Sequence, residues 1–289
     1  MLFQDFLDAV LGLFLGADAV SSGAETLPPG AVKVSPQGNC ITPVLYEGSP
    51  AGYMINVSGT QMYVTEPKGH VKKGHGLLYL SDVLGLAAPD NLILADSFAR
   101  QGYFVLAPDL YQGHPAPDDH DRPDLGFNAT EFLDAHPISI TDPVVELAIK
   151  TMRTAFNITK VASAGYCFGA KYTFRFSTAE KAAAGLGVDV IVVAHPTNVT
   201  DEEIEARVAP ASIAAGQYDM YMPEQRRWQI ESALLATNYG ASMDLYSDVP
   251  HGFAIRVNLS DPVARFVKQE VFNQHITWLD YWMPKVPGY

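Results

Sequence analysis

Cysteine is scarce. The 289-residue chain has only Cys40 and Cys167, too few for a disulfide framework and lacking the CxxC or Cys/His spacing of a zinc site. Cations are also few, with 19 Lys+Arg against 32 Asp+Glu and a net charge of −13. Without a basic footprint, nucleic acid is excluded as a partner. Nor is there a long apolar run: residues 1–20 are interrupted by Asp5, Asp8, Gly12 and Asp18, short of the about 18 uninterrupted apolar residues of a transmembrane helix. No Lys or Arg precedes that stretch, as a signal peptide would require. No Gly-rich phosphate loop follows the first buried strand, so nucleotide binding has no support.

What is present is material for a core: 48% of residues are apolar and 18% charged, the composition of a folded globular protein. Leu2, Phe3, Phe6, Leu7, Val10, Leu11, Leu13 and Phe14 recur at helical spacing and predict a short amphipathic helix. The Gly, Ser and Pro breakers of residues 15–52 predict an extended arm. That segment, 1–52, is the candidate surface for a homodimer, and Cys40 within it reads as an unpaired thiol or a partner for another chain.

Residues 53–289 read as a single domain. Alternation at Ile55, Val57, Met62 and Val64 predicts a hairpin or edge strand. Apolar runs at 76–81, 103–108, 160–165, 188–194, 210–215 and 242–246 then alternate with helical patterns at 92–101, 143–156, 168–184, 223–239 and 262–282, with Pro143, Pro223 and Pro262 expected in first turns. Strand alternating with helix predicts an α/β fold, a mostly parallel sheet with helices on both faces. Residues 110–140, rich in Asp, Pro, Gly and His, break the alternation at the carboxyl edge of the sheet, where open α/β folds bind ligands, and predict a pocket wall or lid. His114, His120 and His136 stand there with Asp118, Asp119 and Asp121, but without HExxH-type spacing they read as a solvated loop, and no metal is expected.

The segment Lys160-Val-Ala-Ser-Ala-Gly165-Tyr-Cys167-Phe-Gly169 carries the chemistry. A strand runs into Gly-x-Cys-x-Gly and straight on into a helix, the setting of a hydrolase nucleophile with cysteine in place of serine. Side chains at Gly165 or Gly169 would collide with neighbouring elements, and a helix N-terminus beneath Cys167 favours a thiolate and a developing oxyanion. Hydrolases of this architecture supply an acid and then a histidine after later strands. Here Gly216-Gln-Tyr-Asp219 ends one strand, and Asp248-Val-Pro-His251-Gly-Phe253 follows another. Cys167, Asp219 and His251 are therefore the candidate triad. His195, closing the 188–194 strand, reads as part of the pocket floor.

These motifs, with Asp82-Val-Leu-Gly85 and Ala107-Pro-Asp109-Leu-Tyr111, resemble the dienelactone hydrolase (carboxymethylenebutenolidase) family of α/β-hydrolases, and Cys40 with Glu47-Gly48 resembles its fungal-type members. The resemblance implies an oxyanion hole from the backbone N–H groups of Val83 and Phe168. The expected substrate contacts are Asp82, Tyr111, His114, Tyr218, Phe253 and Arg256, and the pocket lining is expected from residues 110–140 together with Tyr218, Tyr221, Met222 and Phe253. Bacterial members have a glutamate touching the cysteine where this chain has Asp82, one methylene shorter. They also carry two arginines that clamp a substrate carboxylate; here Gln112 follows Tyr111, Ile255 fills the second position, and Arg256 is displaced by one residue.

The expected activity is hydrolysis of a small ester, lactone or thioester through a covalent cysteinyl intermediate, with no cofactor. The alternatives are a secondary-metabolism tailoring hydrolase or acyl transferase acting on a polyketide-type thioester, and a ligand-binding member without turnover. With 9 Asn and 30 Ser or Thr, chance supplies about one Asn-x-Ser/Thr sequon, yet five occur, at Asn56, Asn128, Asn157, Asn198 and Asn258. The surplus points to the secretory pathway, with a cytoplasmic location as the alternative.

Overall fold

The computed structural model describes residues 41–117 and 127–288. The helix and arm expected before residue 41, Cys40 and the dimer surface assigned to that segment lie outside the described residues, as do Asp118, Asp119, His120 and Asp121. Eight strands form one sheet: β1 (Tyr53–Val57), β2 (Thr60–Thr65), β3 (His75–Leu80), β4 (Phe104–Pro108), β5 (Lys160–Tyr166), β6 (Val190–Ala194), β7 (Ala211–Tyr218) and β8 (Ala241–Pro250). Their order is β1-β2-β4-β3-β5-β6-β7-β8. β1–β2 and β2–β4 pair antiparallel; every other pair is parallel. The fold is α/β, and the expected first hairpin is β1–β2.

Burial follows from this order. β4 and β6, with neighbours on both sides and helices on both faces, are buried at every residue, which is why they read as unbroken apolar runs. The edge strand β8 is buried only at Val249. Its alternation is diluted by Asp244, Ser247 and Asp248, and it runs beyond the expected 242–246 at both ends.

The helices are α1 (Pro89–Arg100), α2 (Ala129–Ala135), α3 (Ile138–Ala155), α4 (Phe168–Arg175), α5 (Ala179–Ala183), α6 (Asp201–Glu205), α7 (Glu224–Leu235) and α8 (Pro262–Trp282). Pro89 and Pro262 sit in first turns. Pro143 does not, because α3 starts at Ile138 and carries Pro143 inside it. The proline lies in the second turn, where its missing N–H costs one backbone bond and the buried face of Val144, Val145, Ala148, Ile149 and Met152 outweighs it. Pro223 is the N-cap of α7 rather than its first turn. The helix expected over 168–184 is two helices, broken where Thr178 turns to cap α5, its side chain accepting from the Lys181 N–H.

The stretch before Tyr53 is tied to the body from Ile41 onward. Val44 is buried and its N–H donates to Gln269. Buried Asp96 accepts from the Ala51 N–H at 2.7 Å and from the Tyr63 hydroxyl at 2.8 Å. Among the described residues, no helix is long and apolar enough to cross a membrane.

Candidate active site

Parallel strands that share a direction place their following loops along one edge of the sheet. β5, β6, β7 and β8 are consecutive neighbours, so Cys167, the 195–197 segment, Asp219 and His251 emerge side by side. The register brings the last two together, because Tyr218 pairs with Pro250 across an irregularity near Gly216 and the next residue on each strand is Asp219 or His251.

Cys167 adopts φ 51° and ψ −115°, in the left-handed half of conformational space that strains a residue with a Cβ. The neighbouring glycines permit this turn. A Cβ on Gly165 would lie 2.2 Å from Thr173 Oγ1 and 2.7 Å from Ala170 Cα, and one on Gly169 would lie 2.2 Å from the Leu80 carbonyl oxygen. The helix therefore starts directly under the sulfur. Phe168 is the first residue of α4, so its N–H has no acceptor within the helix. The Val83 carbonyl accepts from the Ala116 N–H at 2.8 Å, which holds the other expected oxyanion-hole residue in place.

Asp219 is 2% exposed. Its Oδ1 accepts from the backbone N–H groups of Tyr221 at 2.8 Å and Met222 at 3.2 Å, leaving Oδ2 for His251 Nδ1 at 2.8 Å. Burial lowers the His251 pKa, but hydrogen bonding to Asp219 and Cys167, together with their charges, raises it further, to about 10. Nε2 lies near enough to Cys167 for that influence, yet it is buried and makes no hydrogen bond of ordinary geometry. The imidazole is packed from two sides, by His195 and by Tyr221, each with ring centroids 4.8 Å away and near-perpendicular planes. His195 is fully buried at φ 39°. Burial first, and then the His251 charge, hold its pKa well below the ordinary value, so His251 meets a neutral ring.

The Asp82 carboxylate is fully buried. Its Oδ1 accepts from the Leu84 N–H at 3.1 Å and from Asn91 Nδ2 at 2.8 Å, and its Oδ2 lies 3.4 Å from Arg256 Nε. Sequence reasoning gave Asn91 no role. Its signal was a carboxamide inside the apolar pattern of α1, where burial is complete and its Oδ1 also accepts from the Tyr79 hydroxyl.

The expected substrate contacts divide by exposure. Tyr111 is buried among Phe132, Phe168 and His136, with its hydroxyl donating to the Asp82 carbonyl at 2.9 Å. Phe253 is buried against His195 and Tyr246, and Met222 is in the core. These three support the site from behind. His114, Tyr218 and Tyr221 are exposed. Arg256 reaches back to Asp82, its guanidinium 3.0 Å from where a Cβ on Gly252 would lie, and Ile255 in the second clamp position is fully buried. His136 Nδ1 pairs with the Phe132 carbonyl at 2.8 Å. Among the described residues, no three His, Cys, Asp or Glu side chains are grouped to hold a metal ion.

A model of the dienelactone hydrolase family matches residues 60–281. The chain belongs to this family. Hydrolase pyvD of Aspergillus violaceofuscus is 34% identical over 251 residues, covering 86% of this chain and 98% of that protein. Hydrolase tropI of Talaromyces stipitatus is 30% identical over 254 residues, covering 86% and 96%. Among solved structures, the dienelactone hydrolase of Anabaena variabilis superposes with a TM-score of 0.57 at 18% identity, over 82% of this chain and all of that one, a likeness of fold. Family and relatives make this protein a hydrolase with the α/β-hydrolase architecture.

Proposed function

We propose that the protein hydrolyses a small, uncharged ester or lactone with Cys167 as nucleophile. The observation that carries this reading is the buried Asp219–His251 hydrogen bond of 2.8 Å beside a cysteine held in a strained turn at a helix N-terminus. His251 takes the Cys167 proton at Nε2 while Asp219 holds the other ring nitrogen. The sulfur attacks the carbonyl carbon, and the Val83 and Phe168 N–H groups receive the oxyanion. As the intermediate collapses, His251 protonates the departing alkoxide. It then takes a proton from the water that attacks the thioester, and the acid and the thiol are released.

Substrate charge follows from the cations near the site. Arg256 is matched by Asp82 at 3.4 Å, and Gln112 and Ile255 stand at the two clamp positions. The chain as a whole carries −13, which repels anions on approach. A bidentate Arg–carboxylate contact contributes about 1.5–3 kcal/mol per charged hydrogen bond. Its absence predicts that neutral aryl esters and lactones exceed a carboxylate-bearing lactone in kcat/KM by at least about tenfold. Steady-state kinetics on matched neutral and anionic lactones checks this, and an anionic preference abolished by Arg256→Ala would assign the clamp to Arg256 and sink the prediction.

The sequons bear on compartment. All five of their asparagines are exposed, leaving each accessible to a glycosyltransferase. Protein made in a eukaryotic secretory host is expected to run heavy on a gel and to shift after endoglycosidase treatment. Five unmodified asparagines by mass spectrometry would place the protein in the cytoplasm instead.

A further inference from the structure

The Cys167 sulfur has a neighbour that the triad does not use. Thr197 Oγ1 lies 3.3 Å from Sγ, at the distance of an oxygen–sulfur hydrogen bond. The hydroxyl is placed there by the backbone. The Cys167 N–H donates to the Ala194 carbonyl at 3.3 Å, and the Thr197 N–H donates back to the Cys167 carbonyl at 3.2 Å. Between these bonds the chain turns through His195, at φ 39°, and Pro196, whose ring fixes its own φ. The segment that leaves β6 is thereby clasped to the nucleophile elbow at both ends, and Thr197 is half-buried beside it. Asp82, which stands where the family resemblance has a glutamate touching the cysteine, accepts from Leu84 and Asn91 and faces Arg256.

We propose that Thr197 is a catalytic residue whose hydroxyl donates to the Cys167 thiolate, an inference that rests on Cys167 being the nucleophile. When the thiol proton passes to His251 Nε2, the charge left on sulfur is received by the Thr197 O–H. The bond weakens when the sulfur becomes a neutral thioester, and re-forms as the carbon–sulfur bond breaks in deacylation and the electron pair returns to sulfur. Thr197 therefore favours two states, the attacking thiolate and the departing thiolate. Hydroxyl donation to an anion is among the stronger hydrogen bonds available.

Thr197→Val keeps the branched shape and removes only the hydroxyl. The rate of Cys167 alkylation by iodoacetamide is expected to fall about tenfold at about pH 6 and to change little at about pH 9, because a lost donor acts on the charge of the sulfur and not on access to it. The same variant should accumulate acyl-enzyme as a larger burst from a nitrophenyl ester. Thr197→Ser is expected to restore both, since it returns the hydroxyl; a purely structural role would change the rate at both pH values alike. Thr197→Ala provides a second deletion of the hydroxyl and should repeat the valine result. A wild-type alkylation profile in the valine and alanine variants, or a serine variant no better than valine, would overturn the role of Thr197 and leave the nucleophile untouched. Ester hydrolysis persisting in Cys167→Ala would overturn the reading on which it rests.

Discussion

Cys167→Ala is expected to abolish ester hydrolysis, lowering kcat/KM by at least about a thousandfold, while the protein remains folded. The substitution deletes one sulfur from a residue 6% exposed and leaves the strained backbone as it was. Asp219 and His251 would still be hydrogen-bonded, and the helix N-terminus would still be aimed at the oxyanion. What disappears is the atom that bonds to carbon. Cys167→Ser tests the same point from the other side: a hydroxyl keeps the geometry but is far less ionised beside the same histidine, so weak turnover is expected. Ester kinetics and thermal unfolding of the two variants check both statements, and full activity in the alanine protein refutes the mechanism.

Asp219→Asn is expected to lower kcat by about 10³–10⁴-fold, the scale such a change has in other triads. The carboxamide would keep an oxygen for the Tyr221 and Met222 N–H groups, so the turn survives. Its other end becomes an NH₂ facing His251 Nδ1. That nitrogen must then accept, the ring proton moves to Nε2, and the base can no longer take the thiol proton. Asp248, the nearby acid, is exposed and its N–H donates to Gln217, so Asp248→Asn should cost severalfold at most. Kinetics of the pair decide which strand end holds the acid.

The raised His251 pKa has a pH signature in the wild-type enzyme. In the free enzyme Asp219 and Cys167 together raise the His251 pKa to about 10, so the alkaline limb of kcat/KM should lie above the ordinary 6.5 of histidine and should move down in Asp219→Asn, where the charge is lost. A raised histidine pKa stabilises the fold fully below the ordinary 6.5, and that contribution is lost as pH rises through about 10.

The central parallel strands were legible because burial on both faces leaves an unbroken apolar signature, as in 190–194. The grouping of Cys167, Asp219 and His251 was legible from chain order, Cys167 and Asp219 each following a buried strand and His251 the edge strand β8. The parts that sequence reasoning missed have local causes. The start of α3 was hidden because Ile138, Ser139 and Ile140 are exposed and give no apolar stripe until Thr141, and the proline at 143 imitates a start signal. α2 buries no residue at all and so shows no period. The break near Thr178 is a cap inside an alanine-rich run, where propensity favours continuing. Thr197 carried no motif; its position depends on backbone bonds between the ends of β5 and β6, which appear only once the two strands are neighbours.

Trapping the covalent intermediate tests the central claim most directly. Rapid acid quench during turnover of a neutral nitrophenyl ester, followed by peptide mass spectrometry, is expected to place the acyl group on Cys167 as a thioester, in a quantity that rises in Thr197→Val. An acyl group on any other side chain, or stoichiometric product release with no acyl-enzyme in either protein, would contradict it.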